Sequence, residues 1–416
     1  MILRPNALIC PPLPPSPLAR EGPGERRKSA AFLDAAPSPQ PLSREGRGAS
    51  RAQRLAFATA ALFAALLAFS ALLPTSAHAQ DDDRIDNPAP PGNDHLYLLR
   101  DDAMRFADEV AERRNLDPDW TRNAIGQALY LPGVPKLMLP PARGAIKNWR
   151  AYRARFINPA RIRAGVRFWQ RNRATLARAQ AEFGVPPEII AGIIGVETVY
   201  GQNMGSFRVI DALSTLAFDF PAEHPRAEAR QAYFRAELEQ FLTLCQRTGM
   251  EPTAPLGSYA GAMGLPQFMP SSWARYAIDY DGDGRVDLWH SEADAIGSVA
   301  SYFKNYGWQP DLPTHYKVRL SGGADLERLL APDIQPSFSP ASFAAKGVQL
   351  LPNGMNHPGQ LALIELPNGN PAVPGNEPTY VAGTENFYVI TRYNKSSFYA
   401  MSVIELGQEV ADAMRR

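Results

Sequence analysis

The stretch Pro187-Glu188-Ile189-Ile190-Ala191-Gly192-Ile193-Ile194-Gly195-Val196-Glu197-Thr198-Val199-Tyr200 decides how the rest of the chain is read. Pro187 suits the first turn of a helix, where its missing N–H is not needed. Ile189, Ile190, Ile193, Ile194 and Val196 then supply apolar side chains at helical spacing. Glu197 falls seven, four and three residues after Ile190, Ile193 and Ile194, so it lies on the apolar stripe and not on the wet face. A carboxyl group placed there is poorly solvated, keeps its proton toward neutral pH and can serve as a general acid. A helix-end glutamate paired with an arginine fits the same spacing, so helical phase alone leaves both readings open. Gly192 and Gly195 each cost a helix about 1 kcal/mol relative to alanine. Two of them one turn apart point to close approach by a ligand or by another backbone.

Helical periodicity continues outward from this stretch. Ile162, Val166, Trp169, Leu176 and Phe183 share the face of one predicted helix, which Gly184 ends. Further helices are expected near 226–247 and 294–306. After Trp308 the texture changes. The stretches 316–320 and 361–366 alternate and are separated by Gly, Pro and Asn, as in a small β-rich insertion. A strand over 387–391 and a helix from about 400 to 414 are expected to close the chain. No internal repeat is evident. The fold class is mostly α, in the α+β sense.

Composition narrows the function. The chain has 416 residues, 45% of them hydrophobic, enough for more than one domain around a real core. Beyond residue 79 there are 34 Lys/Arg against 38 Asp/Glu. This mildly acidic body lacks the basic footprint of a nucleic-acid binder. Cys10 and Cys245 are the only cysteines, so the body cannot form an internal disulfide. If the body is exported, core packing must hold it together, with or without a metal.

The N-terminal region reads as an address. Residues 1–50 hold ten of the 39 prolines and are expected to be disordered, a mis-called extension of the true start. Residues 51–79 then follow the plan of a signal peptide. Arg51 and Arg54 precede an uncharged apolar run over 55–73, and Ala77-His78-Ala79 forms a small-x-small cleavage site. Export to the periplasm without lipid attachment is expected; the alternative is an inner-membrane anchor formed by 55–73. Residues 80–93 are acidic, Pro-rich and linker-like.

Three motif runs carry a family resemblance. Gly195-Val196-Glu197-Thr198, then Gly257-Ser258-Tyr259-Ala260-Gly261-Ala262-Met263-Gly264, then Gln267-Phe268-Met269-Pro270-Ser271-Ser272 resemble the B-type membrane-bound lytic murein transglycosylases. Asp294-Ala295-Ile296-Gly297-Ser298-Val299-Ala300 and Arg392-Tyr393-Asn394 are similar to that family too, and the likeness covers roughly 95–416. It implies a lysozyme-like core with an additional helical domain and a small β-rich insertion. The implied division is a helical domain at 94–160 with part of 207–250, the core at 161–308, the insertion at 309–385 and a return to the core at 386–416. The implied activity is cleavage of the MurNAc–GlcNAc bond of peptidoglycan without water, leaving 1,6-anhydro-MurNAc ends.

In that family the catalytic glutamate matches Glu197, acting first as acid and then as base. No second carboxylate is evident, which suits substrate assistance by the N-acetyl group, an exception to the two-carboxylate rule. Cleft residues implied by the resemblance are Tyr152, Tyr233, Ser258, Gln267, Phe268, Tyr302, Tyr393, Asn394 and Tyr399. Arg230 would suit peptide-stem carboxylates, although its usual basic neighbour is Ala229 here. No cofactor is implied for the chemistry. The expected partners are peptidoglycan strands and cell-wall synthesis or remodelling proteins, and the chain is expected to be a monomer. A hydrolytic muramidase of the same fold and a non-catalytic peptidoglycan-binding protein remain as alternatives.

The run Asp279-Tyr280-Asp281-Gly282-Asp283-Gly284-Arg285-Val286-Asp287 follows the opening of an EF-hand loop. Oxygen ligands recur at positions one, three, five and nine, with the Arg285 carbonyl at seven. Position twelve departs from the pattern, because His290 stands where a bidentate Glu is expected. The family resemblance implies a longer loop, closed by Asp294, with Glu292 as the nearby rival. A structural Ca²⁺ is expected here.

Overall fold

Proline and short polar caps at helix starts, with left-handed residues at several helix ends, divide this chain into elements. The computed structural model describes residues 95–140 and 146–416. The expectations for 1–50, the signal peptide at 51–79, the anchor at 55–73 and the linker at 80–93 therefore lie outside the described residues. Helices α1 (Asp101–Arg114), α2 (Pro118–Gly126), α3 (Val134–Leu137) and α4 (Trp149–Phe156) come first. They are followed by α5 (Pro159–Arg171), α6 (Arg173–Phe183) and α7 (Pro187–Thr198). Strand β1 (Phe207–Arg208), α8 (Val209–Phe218), α9 (Ala227–Thr248), β2 (Leu256–Gly257), α10 (Pro270–Tyr276) and α11 (Glu292–Asn305) complete the helical part.

The later part contains β3 (His315–Leu320), α12 (Leu326–Leu330), α13 (Pro340–Ala345) and β4 (Val348–Leu350). Then come β5 (Ala362–Leu366), β6 (Thr379–Gly383), α14 (Glu385–Tyr393) and α15 (Ser397–Arg415). The larger sheet runs β4-β3-β6-β5 with antiparallel neighbours. Its side chains alternate between two cores, as strand geometry requires. Ala362, Ile364, Leu366 and Val381 join the main helical core. Leu363 and Ala382 join a smaller core with Leu329, Phe343, Val348 and Leu350. No helix of the described residues is long and apolar enough to cross a membrane.

Two sequence expectations are corrected. The helix expected to run through Ile162 and Phe183 is two helices, α5 and α6, parted at Asn172 (φ −106°, ψ 18°). The buried Asn172 amide donates to the Phe168 carbonyl at 2.9 Å and to Glu292, so its side chain competes with the helical ladder. The run 387–391 is not a strand but the middle of α14. Thr384 caps that helix by accepting from the Asn386 and Phe387 amides, and the run then buries Phe387, Val389, Ile390 and Thr391. A short apolar run carries no periodicity that separates the two cases.

The helix α7 packs against α15 at unusually close range. A Cβ on Gly192 would stand 2.3 Å from the Val403 carbonyl oxygen, and one on Gly407 would stand 2.0 Å from that of Glu188. The close approach anticipated for Gly192 is therefore made by another backbone. Gly195 faces the Tyr200 hydroxyl and Leu406 instead. The two helices step past each other one turn at a time, Glu188 by Gly407 and Gly192 by Val403. The next turn brings Glu197 to Tyr399.

Candidate active site

Glu197 sits in the last turn of α7 with only 8% of its surface exposed. Its Oε1 accepts a 2.5 Å hydrogen bond from the Tyr399 hydroxyl. Burial pushes the carboxyl up to about 8, against a smaller downward pull from Tyr399. Such a group is largely protonated at neutral pH, yet close enough to neutrality to lose its proton during a reaction.

The backbone past Glu197 is held under strain. Val199 (φ 52°) and Tyr200 (φ 59°) both occupy the left-handed region, where a β-branched valine costs on the order of 1–3 kcal/mol. Thr198 over-determines this turn. Its hydroxyl donates to the Leu265 carbonyl at 3.0 Å and accepts from the Gly201 amide at 3.0 Å. The end of α7 is thereby tied to the loop that carries Gln267 and Phe268.

That loop is a pair of tight backbone turns. Ser258 Oγ accepts from the Ala260 and Ala262 amides, and Met263 and Phe268 exchange both backbone hydrogen bonds. Gly264 (φ 70°) is required at its corner, where a Cβ would meet the Leu288 carbonyl oxygen at 2.5 Å. Gln267 (φ 50°) donates from Nε2 to the Met204 and Gly264 carbonyls.

Aromatic side chains wall the acid. Tyr393 stacks on Tyr399 with ring centroids 6.4 Å apart and donates to the Pro266 carbonyl at 2.6 Å. Phe268 and Tyr302 pack against Tyr393. Burial pushes the Tyr393 and Tyr399 hydroxyls far up, and the Glu197 charge adds to the effect. Burial pushes Tyr152 up to about 12; Arg155 opposes that rise and Glu197 adds to it, so Tyr152 senses both. Asn394 is buried just past α14, with its Oδ1 lacking a hydrogen-bond partner.

The remaining sequence candidates lie elsewhere. Arg230 and Tyr233 project from α9, where the guanidinium lies over the Tyr233 and Phe234 rings. Glu237, which accepts from Ser271 at the start of α10, interacts with Tyr233. The structure thus gathers Glu197, Tyr152, Phe268, Tyr302, Tyr393 and Tyr399, and sets Arg230 and Tyr233 in a neighbouring cluster. Sequence reasoning did not single out Gly407, whose meaning depends on the partner helix.

In the acidic loop, carboxylate oxygens of Asp279, Asp281 and Asp294 converge within 4.8 Å of one another. Asp294 is buried and accepts from the Tyr280, Asp281 and Asp287 amides. Glu292 turns away, paired with Arg171 at 2.5 Å. Asp283 accepts from the Arg285 amide, and Asp287 from the Trp289 and His290 amides. Three convergent hard oxygen donors suit Ca²⁺.

Comparison with known proteins places this geometry in context. Residues 99–408 match the family described as the transglycosylase SLT domain. The chain is 38% identical over 330 residues to membrane-bound lytic murein transglycosylase B of Escherichia coli, covering 74% of this chain and 82% of that protein. A soluble lytic transglycosylase of Pseudomonas aeruginosa, SltB1, superposes with TM-score 0.67 at 39% identity, over 76% of this chain and 100% of that one. An Escherichia coli lytic transglycosylase solved in complex with calcium superposes with TM-score 0.66 at 37% identity, over 79% of this chain and 99% of that one.

Proposed function

Because the chain belongs to the SLT-domain transglycosylase family, with its lysozyme-like fold and peptidoglycan-cleaving lytic transglycosylase activity, we propose that Glu197 is its one acid–base residue. The buried Glu197 carboxyl under the Tyr399 hydroxyl carries this reading. Protonated Glu197 donates to the glycosidic oxygen as the C1–O4 bond breaks, and the substrate's N-acetyl group stabilises the cation at C1. The ionised Glu197, held by the Tyr399 hydroxyl, then takes the proton from the MurNAc 6-hydroxyl as O6 bonds to C1. One bond to C1 breaks, one forms, and Glu197 returns to its starting state, leaving a 1,6-anhydro end.

Tyr152, Phe268, Tyr302, Tyr393 and Tyr399 offer apolar ring faces and hydroxyls to the sugars, with Ser258, Gln267 and Asn394 supplying polar contacts along the cleft. Arg230 and Tyr233 extend the site from α9. In this reading, 94–160 with part of 207–250 forms a helical domain beside the core. Asp279, Asp281 and Asp294 would hold a structural Ca²⁺, with Asp283, Asp287 and the Arg285 carbonyl as the further ligands that the loop pattern offers, in a periplasmic enzyme. The ion would clamp the loop before α11, and no step of the reaction uses it. Glu197→Gln tests the assignment. It should abolish strand cleavage while retaining glycan binding, and unimpaired cleavage would refute the role.

A further inference from the structure

Residues 147–178 contain ten Lys/Arg and no Asp/Glu, within a body that is otherwise mildly acidic. They form α4 and α5 and the start of α6. Some of these charges are balanced: Arg153 pairs with Glu405 and Arg171 with Glu292. Arg155 and Arg161 are not. Both are half-buried, and among the described residues neither makes an ion pair. Their guanidiniums both lie near one ring, Arg155 at 5.9 Å and Arg161 at 5.1 Å from the Phe156 centroid. Arg161 Nη1 donates to the Arg155 carbonyl at 3.1 Å, while its Nε is buried with no hydrogen-bond partner. Two neighbouring cations with no counter-ion, one of them with an orphaned buried donor, form an arrangement that an anion would complete.

Position selects the anion. The Arg155 guanidinium also lies 5.3 Å from the centre of the Tyr152 ring, and Tyr152 senses both Arg155 and Glu197. The arginine pair therefore lies beside an aromatic side chain that neighbours the Glu197 carboxyl. On a peptidoglycan strand the sugars of the backbone are neutral, and the anionic groups are the carboxylates of the peptide stems on MurNAc. Guanidinium is suited to such groups by its fork of donors. We propose that Arg155 and Arg161 form a carboxylate-binding subsite for a peptide stem, beside Tyr152. This inference rests on the reaction assigned to Glu197. An anionic membrane is the less fitting occupant, because Ile162, Val166 and Trp169 of α5 pack against the core and leave little to insert into lipid.

The test compares Arg155→Gln, Arg161→Gln and the double variant with wild type on two substrates, peptide-bearing strands and the same strands stripped of peptides by an amidase. The variants should raise KM about tenfold on peptide-bearing strands, with kcat nearly unchanged. On stripped strands they should match wild type, and Arg161→Lys should recover part of the loss. Equal losses on both substrates, or none on either, would overturn the subsite. So would a loss of binding to phosphatidylglycerol vesicles that accompanies unchanged KM on peptide-bearing strands. Failure of wild type itself to leave anhydro ends on stripped strands would count against the reaction assigned to Glu197 and not against the subsite. Thermal melts of each variant separate a folding defect from a binding one.

Discussion

The Tyr399 hydroxyl donates a 2.5 Å hydrogen bond to Glu197 Oε1, joining residues 202 positions apart across the α7–α15 contact. Burial raises the acid and this hydrogen bond lowers it. Removing the bond should therefore raise it further. With the carboxyl pushed up to about 8, an alkaline limb of kcat/KM is expected near that pH in wild type, and Tyr399→Phe is expected to shift it to higher pH while lowering the maximal rate. A pH–rate profile on purified murein checks the direction. A shift to lower pH would show that the hydroxyl does not stabilise the carboxylate.

The same carboxyl group should destabilise the fold at alkaline pH. Its folded value, about 8, lies above the ordinary 4.5, so between those limits the native state binds more protons than the unfolded chain. Stability then falls as pH rises through that window. Glu197→Gln removes the buried ionisable group, and its Tm should exceed that of wild type increasingly from pH 6 to pH 9. Melting curves at both ends of the window test this sign.

Close packing at Gly192 and Gly407 should be exacting. Alanine at either site drives a Cβ into a backbone carbonyl of the facing helix, at 2.3 and 2.0 Å respectively. Gly407→Ala is expected to cost about 1–3 kcal/mol, as overpacked cores do. It should also lower kcat, because α15 carries Tyr399. Denaturant melts and steady-state rates measured together would expose an unchanged enzyme.

Calcium should raise Tm through the Asp279, Asp281 and Asp294 oxygens, by the mass action of a ligand bound to the native state alone. Excess chelator should reverse the shift, and Asp281→Asn should abolish most of it while leaving Glu197 in place. Identical melts with calcium and chelator would refute the site.

The arrangement around Glu197 was partly legible in the sequence. Helical phase placed it on an apolar stripe because i, i+3, i+4 and i+7 spacing survives in a regular helix. The acidic loop stood out as a local Asp/Gly pattern, and the convergence of Asp279 and Asp281 with Asp294 is what the structure adds. What escaped depends on distant partners. Nothing local marks Gly407 as the residue that meets Glu188. The run 387–391 looked like a strand because five apolar or β-branched residues carry no period, and only the Thr384 cap and the burial of Val389 and Ile390 reveal the helix. Asn172 divided an apparently continuous periodic stretch through a buried amide whose second partner, Glu292, is 120 residues away.

The central claim is that ionised Glu197 takes its proton back from the sugar's own 6-hydroxyl and not from a water molecule. Mass spectrometry of the muropeptides released from purified murein tests it most directly. The account predicts new MurNAc ends about 18 Da lighter than hydrolysed ends, the mass of one water not added, and predicts that these ends vanish with Glu197→Gln. Reducing MurNAc ends in their place would contradict it and identify a hydrolase.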